Sequence, residues 1–162
     1  MSLPKRPGFH RRHYRHPGEF WGDLRQLRSL RSPVKLHQTM IERLMLVVTS
    51  VNRCRYCASF HTEVARLSGL STEEITLLLE GSTQGAPPAE IPALLFARHW
   101  AEAGGTAGPE LRAELIAHYG TGQALAIERT LRTIWIGNLL GNSWDALLFW
   151  LSGGRLGQGH MA

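Results

Sequence analysis

The sequence predicts an all-α protein. Apolar residues recur at helical spacing in one segment after another, whereas no segment of convincing length alternates apolar and polar residues, and no Asn-Gly or Asp-Gly hairpin turn occurs. The 162 residues suit one domain, and 43% hydrophobic with 19% charged residues is typical of globular proteins. We therefore expect a helical bundle of about six to seven helices with a basic N-terminal arm.

The first half of the chain contains four predicted helices. A short helix follows the arm and ends before Ser32-Pro33, since proline interrupts a helix. The next has a long apolar stripe, and the third begins near Cys54 and ends at Gly69. Ser71 and Glu74 form a capping box that opens the fourth. The predicted ranges are 19–30, 34–51, 54–69 and 71–81.

The second half begins after a loop at 82–88, which contains Gly and two prolines. A fifth helix is expected over 90–103. Pro109 suits the first turn of a sixth, which Gly120 stops. The last and longest helix runs from about residue 121 to 152 and ends before Gly153-Gly154.

The charge of +5 is concentrated at the N-terminus. Residues 1–36 hold nine Lys or Arg and two acidic residues, whereas the other 126 residues hold nine and eleven. This divides the chain into a basic arm at 1–35, a domain at 36–152 and a Gly-rich tail at 153–162. We interpret the arm as a solvated segment that docks onto a neighbouring subunit. Nucleic acid is not expected as a partner, because no nucleic-acid motif follows the arm and the body is not basic.

Membrane and secretory segments are not predicted. The first thirty residues lack an apolar signal region, and Asn138, Asn142, Ser143 and Asp145 interrupt the most apolar stretch. Two cysteines are too few for a disulfide scaffold. We therefore expect a cytoplasmic protein whose thiols stay reduced.

The residues that indicate chemistry are Cys54, Cys57 and His61. Positions three or four apart share a helix face, so the two sulfurs can reach disulfide distance and His61 lies one turn beyond Cys57. The helix N-terminus and His61 are both expected to lower the pKa of the Cys57 thiol. This pairing of thiol and imidazole is typical of an activated nucleophile.

Glu42 joins this group by a register argument. If the second and third helices form an antiparallel hairpin that turns near Asn52, Glu42 and His61 lie almost level, ten and nine residues from the turn. Glu42 also falls on or near the apolar face. A carboxylate in that position can orient and polarise His61.

Two other interpretations of these residues stay open. Two cysteines on an apolar face are often ordinary core residues. A zinc site formed by Cys54, Cys57, His61 and Glu42 is the second, although no further cysteine completes a zinc knuckle. The strand that precedes a thioredoxin-type Cys-x-x-Cys motif is absent.

The pattern resembles the alkylhydroperoxidase D-like branch of the carboxymuconolactone decarboxylase superfamily. The resemblance rests on Glu42, Cys54, Cys57 and His61 at their spacing, and on the run Ala-Arg-Leu-Ser-Gly-Leu-Ser-Thr-Glu-Glu-Ile at 65–75. It extends over about residues 36–152, where Asn138 and Asn142 match an Asn-Arg-x-x-Asn pattern with Leu139 in place of the Arg. Tyr56 stands where some members have a His.

The resemblance implies a fold, a reaction and its partners. It implies an all-α homo-oligomer, as a dimer, trimer or hexamer, that reduces a hydroperoxide substrate without a bound cofactor or metal. Cys57 would be the peroxidatic thiol, Cys54 the resolving thiol, His61 the base and Glu42 its relay partner. An external dithiol, such as a lipoyl adaptor or a thioredoxin-like reductant, would recycle the pair.

Two other functions remain as alternatives. One is a non-redox enzyme of the same superfamily that acts on a small organic acid or lactone. The other is a non-catalytic binding protein whose basic arm engages an acidic partner.

Overall fold

The computed structural model describes residues 17–29 and 34–157, and within these ranges it contains helices and no strand. The all-α prediction is therefore confirmed. Six helices follow one another along the chain: α1 (Pro17–Ser29), α2 (Gln38–Asn52), α3 (Arg55–Leu67), α4 (Thr72–Leu79), α5 (Ile91–Glu102) and α6 (Pro109–Leu151).

The local signals that define helix ends in the sequence act as expected. The Ser71 side chain accepts a hydrogen bond from the Glu74 amide at 3.1 Å, and Pro109 occupies the first turn of α6. Gly120 interrupts α6 with φ 73° and ψ 160°, a conformation that favours glycine. Two predicted helices, 109–119 and 121–152, thus correspond to the two segments of α6 on either side of Gly120.

The core forms around α2, which packs against α3, α4, α5 and α6. Full burial of an aliphatic or aromatic side chain stabilises the fold by roughly 1.5–3 kcal/mol, so this cluster is the main source of stability. The largest completely buried apolar side chains are Trp135, Leu44, Leu46, Leu78, Leu94, Ile127 and Leu131.

A nearly buried ion-pair network holds α2 to the elements that follow it. Arg43 contacts Glu74 at 2.6 Å and Glu90 at 3.1 Å, which joins α2 to α4 and to the residue that precedes α5. Because a single guanidinium satisfies both carboxylates, the network fixes the orientation of α2 on its neighbours.

Helix α1 packs against α6, although it belongs to the segment assigned to the basic arm. Asp23 pairs with Arg132 at 3.1 Å, and the Arg132 guanidinium lies 4.8 Å above the Trp100 ring. Residues 1–16, 30–33 and 158–162 lie outside the described residues, and with them most of the predicted arm and the end of the predicted tail. Along the described stretches, no helix combines the length and the apolar character that crossing a membrane requires.

Candidate functional site

The two cysteines lie where α2 ends and α3 begins. Arg53 adopts a left-handed conformation (φ 52°, ψ 39°) that ends α2, Cys54 is the N-cap of α3, and Cys57 lies in its first turn. Both cysteines are free, and their sulfurs are 2.6 Å apart. The sequence spacing therefore brings the two sulfurs together, as expected.

Hydrogen bonds at this helix start distinguish the two thiols. The Cys54 sulfur contacts the Cys57 sulfur and accepts a hydrogen bond from the Cys57 backbone amide at 3.3 Å. The contact with Cys57 and the backbone hydrogen bonds lower the pKa of Cys54 despite its burial, whereas the contact with Cys54, together with burial, raises the pKa of Cys57. The expectation that Cys57 has the lowered pKa is wrong for the reduced pair. The physical reason is that Cys54, as N-cap, receives the helix-end hydrogen bonds.

The two thiols also differ in solvent exposure, and Cys57 is the more exposed of the two. Cys54 is completely buried, whereas Cys57 is partly exposed and lines a cavity. A molecule in the cavity can therefore reach Cys57 directly, and Cys54 lies behind it. The sulfur whose pKa is lowered is therefore the inaccessible one.

Glu42 and His61 form a second pair beside the thiols. Nδ1 of His61 is 2.8 Å from Oε2 of Glu42, and Gln38 donates to the other carboxylate oxygen at 2.7 Å. Glu42 is 2% exposed, so its carboxylate is held in one orientation. Because Nδ1 donates to Glu42, Nε2 is the His61 nitrogen left to accept or deliver a proton.

The cavity between α3 and α6 has a volume of about 380 Å³ and contains both Cys57 and His61 in its wall. Within the described part of the chain, no hydrogen bond joins these two side chains. The rest of the cavity wall is formed by Met45, Tyr56, Phe60, Thr133, Ile134, Gly137 and Gly141.

Gly141 lets α6 pass directly over the sulfurs. A Cβ atom at this position would lie 2.7 Å from the Cys54 sulfur and 3.7 Å from the Cys57 sulfur. Real Cβ atoms do not approach so closely, so only glycine fits without displacing a thiol. The pair is thus enclosed between the start of α3 and the backbone of α6.

A polar network on the other side of the motif also reaches α6. The Tyr56 hydroxyl donates to Asp145 at 2.9 Å, and Arg55 pairs with the same carboxylate at 2.6 Å. Asp145 is 2% exposed. Both residues between the cysteines are therefore anchored to α6, which fixes the motif with respect to the cavity wall.

Asn138 and Asn142, which the family pattern singled out, join α6 to α2. Asn142 donates to the Asn52 carbonyl at 2.9 Å, and Thr49 donates to Asn138 at 3.2 Å. Both asparagines are at most 5% exposed. The bond to Asn52 satisfies a carbonyl at the end of α2 and so positions the turn that leads to Cys54.

The zinc interpretation finds no support in the geometry. Among the described residues, no group of three or more His, Cys, Asp or Glu side chains is arranged to hold a metal ion. Glu42 and His61 satisfy each other, and the thiols satisfy each other.

The sequence did not identify several residues of the site. In the sequence, Asp145 only interrupts an apolar stretch. The wall residues Met45, Phe60 and Thr133 show no signal beyond helical spacing. Gly137 and Gly141 are four residues apart, which suggests close helix contact but indicates neither which helix is contacted nor that the contact includes a thiol.

The hydrogen bonds of the pair predict an unequal titration of the thiols. Followed by thiolate absorbance at 240 nm, reduced protein should form one thiolate below the ordinary thiol pKa of about 8.5, and the second should form only above it. In Cys54→Ala the early step should vanish, because Cys57 alone then titrates. An early step that persists in Cys54→Ala would contradict this assignment.

The comparisons with known proteins point to one family. Residues 19–103, just over half of the chain, match the sequence model of the Carboxymuconolactone decarboxylase family. The matched segment includes Glu42, Cys54, Cys57 and His61, and it ends before α6. A comparison with proteins of curated function found no match.

Proposed function

The chain belongs to the carboxymuconolactone decarboxylase family, and we propose that it acts there as a thiol-dependent hydroperoxide reductase. In this proposal Cys54 and Cys57 are oxidised to a disulfide by the hydroperoxide and are reduced again by an external dithiol. The observation that supports it best is that an accessible thiol and a histidine share one cavity, with a second thiol 2.6 Å behind the first.

The first step is the attack of Cys57 on the distal oxygen of the hydroperoxide. Nε2 of His61 takes the proton of the Cys57 thiol, which leaves a thiolate at the sulfur that faces the cavity. An S–O bond forms, the O–O bond breaks, and the departing alkoxide takes up a proton as an alcohol. Cys57 becomes a sulfenic acid.

The second step is the attack of Cys54 on the Cys57 sulfur. An S–S bond forms, the S–O bond breaks, and hydroxide leaves with a proton as water. The Cys57 backbone amide, which donates to the Cys54 sulfur at 3.3 Å, favours the thiolate that this step requires. Two thiols and one hydroperoxide thus yield one disulfide, one alcohol and one water.

His61 and Glu42 would manage the protons of both steps. With Nδ1 bound to Glu42, Nε2 of His61 can take a proton from one thiol and return it to the departing oxygen. Glu42 would be a positioning residue, since it contacts His61 and is buried away from the cavity wall.

Reduction of the disulfide would begin at Cys57. Because Cys54 is completely buried, an external dithiol, such as a lipoyl adaptor or a thioredoxin-like protein, can reach only the Cys57 sulfur. Cys54 would then leave as the thiolate, which the hydrogen bond from the Cys57 backbone amide favours. No bound cofactor is needed for this cycle.

Copies of the chain would associate through the outer face of α6. Leu140, Trp144, Leu147 and Leu151 are each more than 40% exposed and recur at spacings of four, three and four, as in a coiled-coil seam. The proposal predicts a homo-oligomer, as a dimer, trimer or hexamer, and light scattering would give its mass.

The direct test of the function is the consumption of hydroperoxide in the presence of dithiothreitol. Purified protein should consume an organic hydroperoxide and oxidise one equivalent of dithiol per turnover. Protein whose thiols have been alkylated with N-methylmaleimide is the control and should be inactive. Consumption at the same rate by the alkylated protein would contradict the proposal.

A second candidate is a non-redox enzyme that acts on a lactone or a small organic acid. It is favoured by the Glu42–His61 pair, which lies at the cavity and can perform acid–base chemistry without a thiol. The alkylated protein distinguishes the two candidates when it is given a lactone substrate. Turnover that survives alkylation would favour the non-redox enzyme.

A further inference from the structure

Gly137 occupies the middle of the cavity wall that α6 provides. Thr133, Gly137 and Gly141 are four residues apart and line the same side of the cavity. The two glycines differ sharply: an added Cβ at Gly141 would meet a sulfur at 2.7 Å, whereas an added Cβ at Gly137 would meet no atom within 4 Å. The free space at Gly137 therefore belongs to the cavity and is not filled by packing.

The cavity lining restricts what can occupy this space. Its wall contains Met45, Phe60 and Ile134 and no Asp, Glu, Lys or Arg residue. An ionised group would find no Asp, Glu, Lys or Arg partner in this wall, so the wall favours an uncharged, apolar group. When the reactive end of a molecule contacts Cys57 and His61, the other end of the molecule can occupy this apolar space.

We infer that Gly137 is a specificity-determining residue, and that the absence of its side chain leaves room for the uncharged organic tail of the hydroperoxide. This inference rests on the proposed function. It predicts that any side chain at this position excludes bulky hydroperoxides more strongly than small ones, because the side chain and the tail compete for the same space.

Substitution at Gly137 should leave the fold intact. Gly137 lies within α6 and is not among the glycines with positive φ, so other residues can adopt its backbone conformation. Leucine is also a better helix former than glycine. Gly22→Leu in α1 is the matched control, because an added Cβ there also meets no atom within 4 Å and Gly22 is absent from the cavity wall.

The first experiment compares kcat/KM for cumene hydroperoxide with kcat/KM for hydrogen peroxide, with dithiothreitol as the reductant. In Gly137→Leu the ratio should fall roughly tenfold or more, the scale on which a pocket discriminates by size. Gly137→Ala should fall between Gly137→Leu and the wild type, and Gly22→Leu should keep the wild-type ratio. An unchanged ratio in Gly137→Leu would overturn the inference.

A second experiment does not depend on peroxidase activity. The rate of Cys57 alkylation by N-benzylmaleimide, divided by the rate with N-methylmaleimide, should fall in Gly137→Leu to a similar extent, while Gly22→Leu stays unchanged. The two reagents share their chemistry and differ only in bulk, so a change in thiol pKa cancels from the ratio. If the wild type consumes no hydroperoxide, the proposed function fails, and this ratio still decides whether Gly137 provides the space.

Discussion

Replacing Cys57 with serine is expected to lower hydroperoxide consumption by roughly three orders of magnitude or more, the scale seen when an enzyme loses its nucleophile. Cys57 is the sulfur that lines the cavity, and Cys54 behind it is completely buried. Serine keeps the shape of the side chain but cannot form a sulfenic acid. The measurement is the initial rate of cumene hydroperoxide loss with excess dithiothreitol.

Cys54→Ser is the paired variant, and it should behave differently. Without dithiothreitol it should react with about one equivalent of hydroperoxide and then stop, because Cys57 is oxidised but no thiol is present to resolve it. Intact mass should show one added oxygen, which dimedone captures as a sulfenic acid adduct. A rapid reaction by Cys57→Ser, together with an inert Cys54→Ser, would mean that the low-pKa thiol is the one that attacks.

Replacing Gly141 with alanine is expected to disturb the thiol pair and to destabilise the reduced protein. The new Cβ would lie 2.7 Å from the Cys54 sulfur, which is fully buried and cannot move into solvent. Overpacking of this kind costs about 1–3 kcal/mol. It should outweigh the gain of about 1 kcal/mol in helix propensity. Urea unfolding of reduced protein and the rate of disulfide formation after mixing with hydroperoxide measure the two effects.

Gly137→Ala provides the control for this change. It makes the same substitution four residues earlier in α6, where the new Cβ meets no atom within 4 Å. We expect Gly137→Ala to equal or exceed the stability of the wild type and Gly141→Ala to fall below it. Equal stability of the two variants, with disulfide formation at the wild-type rate in Gly141→Ala, would show that α6 does not constrain the thiols.

The Glu42–His61 contact shows how far the sequence alone can lead. Counting residues outward from Asn52 placed the two side chains level across the hairpin of α2 and α3, and the structure has them 2.8 Å apart. The argument succeeds because the turn is short and both elements are helices with the same rise per residue. The meeting of the Cys54 and Cys57 sulfurs follows from spacing in the same way.

The contribution of α6 could not be predicted in this way. Gly141 and Asp145 meet the Cys-x-x-Cys motif from more than eighty residues away, and no local pattern shows which helix face packs against α3. The order of the thiol pKa values was also predicted wrongly. It depends on which cysteine is the N-cap, a difference of one or two residues in the helix start that sequence patterns do not resolve.

The most direct test of the proposed redox chemistry is a count of free thiols by intact mass, before and seconds after one equivalent of cumene hydroperoxide is added to reduced protein. The account predicts that both thiols disappear and that the mass falls by about 2 Da, as one disulfide forms between Cys54 and Cys57. Two thiols that remain free while the hydroperoxide persists would contradict it.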